Sequence, residues 1–167
     1  MQRSHASKQA VLVFTLLAVG TLIAAPADEG VKMPSEFRSW YLVNSMLVTK
    51  EPNKFGLITG NHLVYINPSG LDRLKGGGSS AYPDGTIFVD DVREFSLDDG
   101  AYVEGGRKAV PVMVKDSKKY ATTGGWGFQA WGGGDPAKPI VTDAPKQCFE
   151  CHRSQKANDF VFSTYIK

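Results

Sequence analysis

The sequence is poor in cysteine: two in 167 residues, which excludes a disulfide-rich scaffold. It has only three histidines, His5, His62 and His152. No apolar run reaches the roughly twenty residues that a membrane span requires. There is no internal repeat and no low-complexity tract. With 42% hydrophobic and 22% charged residues, the chain is neither disordered nor fibrous.

What is present begins with an export signal. Arg3 and Lys8 form a basic start, Val11 to Ala25 carries no charge, and Ala25-Pro26-Ala27 has the small-x-small pattern of a cleavage site. Residues 1–27 are therefore expected to be cleaved, leaving residues 28–167 as a single domain in the periplasm with no membrane span. Removing Arg3 and Lys8 from 19 basic residues leaves 17, equal to the 17 acidic ones. No basic excess remains to neutralise phosphates, which argues against nucleic acid as a partner.

Both cysteines fall in Cys148-Phe149-Glu150-Cys151-His152. Cys-x-x-Cys-His is the attachment pattern of haem c. Thiols three residues apart project from one side of a helical turn and can bond the two vinyl groups of one porphyrin edge. His152 then supplies the proximal iron ligand. A structural disulfide would not require His152. A thioredoxin-like pair follows a strand in a βαβ unit, whereas this motif lies near the C-terminus. Zinc needs four ligands, and beyond the signal only His62 is left to add, so carboxylates would have to complete the set. The chain is expected to carry one covalently attached haem c, held by Cys148, Cys151 and His152.

The body reads as α+β and β-rich, with a few helices and the haem motif on a short C-terminal helix. Ser35 is a candidate N-cap for a helix over Phe37 to Val48, where Phe37, Trp40, Tyr41 and Val43 fit one apolar face. Leu63 to Ile66 reads as a strand, and Asn67-Pro68 opens a short helix to Leu74. Gly76 to Ser80 reads as loop. Pro83-Asp84-Gly85 and Asp98-Asp99-Gly100 are turn signals bracketing a strand from Thr86. Ala109 to Val114 is a strand, with Pro111 arguing for an edge or a bulge. Asp116 caps one helical turn, Trp126 to Trp131 is a last core strand, and Asp143 caps the haem helix.

A β-rich body with a C-terminal haem motif resembles the cytochrome P-460 family and its sibling, the cytochrome c′-beta group. The matching stretches are Phe37-Arg38-Ser39-Trp40, Tyr82-Pro83-Asp84-Gly85-Thr86, Val114-Lys115-Asp116-Ser117, Thr123-Gly124-Gly125-Trp126-Gly127-Phe128, and the tail from Cys148 to Tyr165. The resemblance implies a homodimer, a mainly antiparallel sheet and one pentacoordinate haem per subunit. In the enzymatic members a lysine is cross-linked to the haem and a distal carboxylate relays protons during hydroxylamine oxidation. In the c′-beta members an apolar distal pocket binds nitric oxide or carbon monoxide. In this chain the lysine's place falls at Asp90 and the carboxylate's place at Pro111. No lysine lies between Gly76 and Arg107.

Three functions follow as expectations: a gas-binding cytochrome that takes nitric oxide and exchanges electrons with a periplasmic redox partner, an oxidoreductase acting on hydroxylamine or nitric oxide, and a low-spin electron carrier. Asp90 is the candidate catalytic residue for the second. Asp91 is its rival, and only one of two adjacent strand residues can face the haem. His62, Met46 or Met113 would have to close the iron in the third. Phe37, Phe55, Phe88 and Phe128 are candidates for an apolar distal cap. Lys54, Lys75 and Lys108 are nominal cross-link alternatives, read as exposed loop residues.

Overall fold

The computed structural model describes residues 30–52, 57–77 and 80–166. The expected signal segment, Lys54 and Phe55 lie outside them. Five strands form one antiparallel meander in chain order: β1 (Tyr41–Val48), β2 (Gly60–Ile66), β3 (Ile87–Asp98), β4 (Ala101–Lys115) and β5 (Trp126–Gly132). Helix α1 (Pro68–Gly76) joins β2 to β3. A C-terminal helical segment runs through a π-turn (Pro145–Phe149), an α-turn (Glu150–His152) and a 3₁₀ stretch (Arg153–Asn158). The α+β, β-rich reading with a haem motif on a short C-terminal helix holds. Among the described residues, no helix is long and apolar enough to cross a membrane.

The expected helix over Phe37 to Val48 is wrong. Phe37–Ser39 is a single 3₁₀ turn, and Tyr41–Val48 is strand β1. A bulge between Leu42 and Asn44 shifts the register with β2. Such a bulge breaks the alternation of period two that would have announced a strand. Pro111 is misread as well: β4 lies between β3 and β5, so it is not at an edge, and the register shifts of β3 and β4 fall at Val92, Arg93 and Phe95 instead. Its partner on β5, Ala130, turns its N–H to the Gln129 side chain and its carbonyl to Ile140. Pro111 therefore loses no bond to β5 by lacking an N–H.

Pro68 opens α1 as expected, but Asn67 does not cap it with its side chain. Its amide instead donates to the Gly85 carbonyl (2.8 Å) and accepts from the Ile87 N–H (3.0 Å), tying α1 to the start of β3. Asp116 accepts from the Lys118 and Lys119 N–H groups, as a cap should. Asp143 accepts from the Lys146 N–H, while Gln147 Oε1 reaches back to the Asp143 N–H at 2.7 Å. That reciprocal cap starts the haem-motif segment.

The sheet buries a cluster on each face. One contains Ile66, Phe88, Met113, Trp126 and Phe128, with Cys148, Phe149 and Phe160 of the C-terminal segment packed on it. The other contains Phe37, Tyr65, Val89, Val110, Val112 and Trp131. Alternation along the strands separates these sets. The first face carries the site.

Candidate haem site

Cys148 and Cys151 are both free thiols, half-buried and exposed respectively. Burial pushes the Cys148 thiol up. One helical turn separates them from each other, and His152 follows directly. The His152 ring lies 5.0 Å from Phe128 and 5.1 Å from Phe162, centroid to centroid. Its Nδ1 bonds the Phe160 carbonyl at 2.7 Å. Burial holds His152 below the ordinary histidine value, against the opposing pull of that bond. The ring is thus neutral with its proton at Nδ1, and the lone pair is on Nε2. A backbone carbonyl on the remote nitrogen is the orientation that metal-bound histidines receive.

Holding that carbonyl in place falls to a device no sequence motif announced. Asp159 and Phe160 both adopt left-handed backbone conformations, at φ 50° and 65°. For Phe160 this is costly, and the surroundings must over-determine it. Lys115 Nζ bonds both Asp159 carboxylate oxygens at 2.9 Å and the Gly124 carbonyl at 3.1 Å. The Asp159 carboxylate also accepts the Tyr82 N–H, and its carbonyl accepts the Trp126 indole N–H. Gly124 sits at φ 68°, and any side chain there would collide with the Phe160 ring. Two strand ends, Lys115 of β4 and Trp126 of β5, together with Tyr82 and Gly124 from the loops, thereby clamp the two residues that aim His152.

The strand register sets three rows on the haem-side face. The first is Ile66, Phe88, Met113 and Phe128, the row against which His152 packs. The next has Val64 opposite Asp90 and Pro111 opposite Ala130. The pairs Val89↔Val112 and Val92↔Ala109 set Asp90 across from Pro111. The third is His62, Val92, Ala109 and Gly132. Asp90 and Pro111, the two positions singled out by the resemblance, are thus neighbours in the row beside the one that touches His152.

Asp90 therefore shares the face of His152, and Asp91 does not. Asp91 is fully buried on the opposite face, bound by Arg107 at 2.6 Å, Arg93 at 3.2 Å and Arg38 at 3.3 Å. Asp90 Oδ2 lies 2.7 Å from His62 Nδ1, and Oδ1 is buried with no hydrogen-bond partner. His62 is itself buried, with Nε2 2.9 Å from the Ile58 carbonyl. Both its ring nitrogens are engaged, which removes it as an iron ligand. Met113 is packed in the first row. Met46 lies across from His62 on β1.

Of the four residues named for a phenylalanine cap, Phe55 lies outside the described residues, and the other three are spread over both faces of the sheet. Phe37 is on the far face against Tyr65. Phe88 packs between Tyr82 and Trp126. Phe128 lies beside His152. The apolar groups flanking Asp90 are Val64, Pro111 and Ala130. Lys108 is not an exposed loop residue: it lies on β4 and its Nζ bonds the Thr59 carbonyl and hydroxyl at 3.0 Å each. Lys75 stands in the last turn of α1, over the Tyr41 ring.

The donor set fits haem c: two unpaired thiols at the right spacing, a neutral imidazole with Nε2 available, and an orphaned carboxylate oxygen on the adjoining face. Among the described residues, no group of three or more His, Cys, Asp or Glu side chains converges as a metal site. No curated protein matches the chain. The family profile of cytochrome P-460, whose members bind haem, matches residues 34–163, from the turn before β1 to the end of the Phe160 strap. The chain belongs to the cytochrome P-460 family.

Proposed function

We propose that the chain is an exported mono-haem c cytochrome whose iron keeps one face open for small nitrogen species. Residues 1–27 are removed, and residues 28–167 form one haem domain in the periplasm. Cys148 and Cys151 would hold the porphyrin through thioether bonds, and His152 would ligate the iron through Nε2, its Nδ1 being bonded to the Phe160 carbonyl. Bound there, the haem supplies an iron that takes up small ligands and exchanges electrons. The observation that carries this reading is the commitment of both His62 nitrogens to Asp90 and Ile58. With signal cleavage, His62 is the one remaining histidine besides His152, and it has no lone pair to offer. Val64, Pro111 and Ala130 favour a neutral diatomic over an anion, which would lose hydration without compensation beside Asp90. Cys151, the exposed member of the pair, marks the edge at which electrons pass to a redox partner.

A second reading is favoured by the buried, unpartnered Asp90 Oδ1. A carboxylate oxygen with no donor of its own accepts a proton or hydrogen bond from a bound hydroxylamine, as a general base must. Nitric oxide titration of the ferrous holoprotein, with hydroxylamine turnover measured alongside, tests both. Tight nitric oxide binding is expected in the wild type and in Asp90→Asn. Turnover, where present, is expected to fall by about a hundredfold or more in Asp90→Asn. An iron that takes up no nitric oxide contradicts the first reading, and undiminished turnover contradicts the second.

The protein would act as a homodimer. Beyond Arg93 and Arg107 the β3–β4 hairpin runs past the ends of β2 and β5. It exposes Leu97 and Tyr102 on one face, with Phe95 beside Tyr102 at 5.6 Å. An apolar two-stranded arm of this kind is a natural surface for a second copy.

A further inference from the structure

We propose that His62 is a positioning residue of the haem-side face: it clamps Asp90 to the loop ahead of β2, keeps that carboxyl ionised, and leaves Oδ1 turned to the ligand on the iron. The inference rests on the reading that Asp90 borders the bound ligand.

The geometry is that of a buried ion pair with one end left open. His62 is 2% exposed. It meets an oxygen at each ring nitrogen, Asp90 Oδ2 at 2.7 Å and the Ile58 carbonyl at 2.9 Å. The Ile58 carbonyl can only accept, so Nε2 carries a hydrogen. The proton between Nδ1 and Oδ2 belongs to the imidazole, whose value the bond and charge of Asp90 raise. His62 is therefore an imidazolium and Asp90 a carboxylate. This arrangement spends one carboxylate oxygen on the pair and leaves the other without a partner. An unsatisfied buried carboxylate oxygen is costly, and a ligand that donates a hydrogen bond relieves it.

The other groups around His62 do not replace it. From β1 and β3, Met46 and Val92 stand opposite it and carry no charge. From β4, Lys108 opposes the imidazolium charge and is bonded to Thr59. Glu51 takes the Thr59 N–H and faces Lys108, which ties the same loop from its other end. Asp90 is the only carboxylate bonded to His62 among the described residues. Burial by itself would lower the His62 value, yet the bond and charge of Asp90 and the Ile58 carbonyl carry it above 6.5.

The test is made on the ferrous carbon monoxide complex of the holoprotein, using the C–O stretch as a reporter of the field beside the ligand. Asp90→Asn is expected to shift the band to a new position that does not change with pH. His62→Gln is expected to shift it too, to a position distinct from that of Asp90→Asn, because the carboxyl loses the cation that fixes it. The double variant is expected to match Asp90→Asn. A His62→Gln band equal to wild type at every pH, with Asp90→Asn shifted, overturns the role of His62 alone. No shift in Asp90→Asn overturns the premise that Asp90 borders the ligand, and the inference with it. Should His62→Gln fail to fold, the wild type still decides. Its diamagnetic carbon monoxide complex should show hydrogens on both His62 nitrogens by ¹H–¹⁵N correlation, with a titration midpoint above 6.5. A bare ring nitrogen below that pH overturns the proposal.

Discussion

Lys115 and Asp159 sit on the haem-side face, 4% and 9% exposed, and bond each other through both carboxylate oxygens. A pair so placed gains little net stability over a well-packed apolar pair, but removing one member strands the other. Lys115→Met leaves the Asp159 carboxylate with the Tyr82 N–H and no cation. We expect a loss of about 3–5 kcal/mol in guanidinium unfolding of the holoprotein. A loss below about 1 kcal/mol would mean the pair is not buried as described. His62 adds a pH dependence of its own. Its folded value lies above the unfolded one, so its contribution is fully present below pH 6.5. It is lost as the pH rises through the folded value. Unfolding midpoints measured across that range should fall with rising pH in the wild type and lose this component in His62→Gln.

The Cys148 to His152 motif could be read locally, because two cysteines and one histidine within five positions state it. Asp90 and Asp91 could be separated only once β3 had a direction, since alternation then sends them to opposite faces. The His62–Asp90 pair spans 28 positions and depends on the β2–β3 register, which no local pattern encodes. β1 was misread because Phe37 and Trp40 of the preceding turn and Tyr41 of the strand fall at spacings a helix would also give. Pro111 was misread because its place in a central strand, between β3 and β5, is a tertiary fact. The Phe160 strap was missed for the same reason. The β3–β4 hairpin carries its own prediction. Asp99 and Gly100 turn it with φ of 44° and 81°, the signs a tight hairpin turn requires. Leu97 is 65% exposed near its tip. Leu97→Glu with Tyr102→Glu should leave the fold and haem content intact and shift sedimentation from dimer to monomer. An unchanged sedimentation coefficient would place any dimer contact elsewhere.

At the scale of the whole molecule, one meander sheet separates two tasks. Its far face is closed by the Phe37 and Trp131 cluster and by the Arg38, Arg93 and Arg107 cage around Asp91. Its near face carries the haem motif at one end and the Asp90–His62 pair at the other, with a row of apolar residues between. The central claim is that the iron held by His152 has no protein ligand on its second face. The visible spectrum of the reduced holoprotein, with and without carbon monoxide, tests it most directly. A broad high-spin spectrum that shifts on adding carbon monoxide is the predicted result. A sharp low-spin spectrum indifferent to carbon monoxide would contradict the account, since a side chain such as Met46 would then have closed the iron.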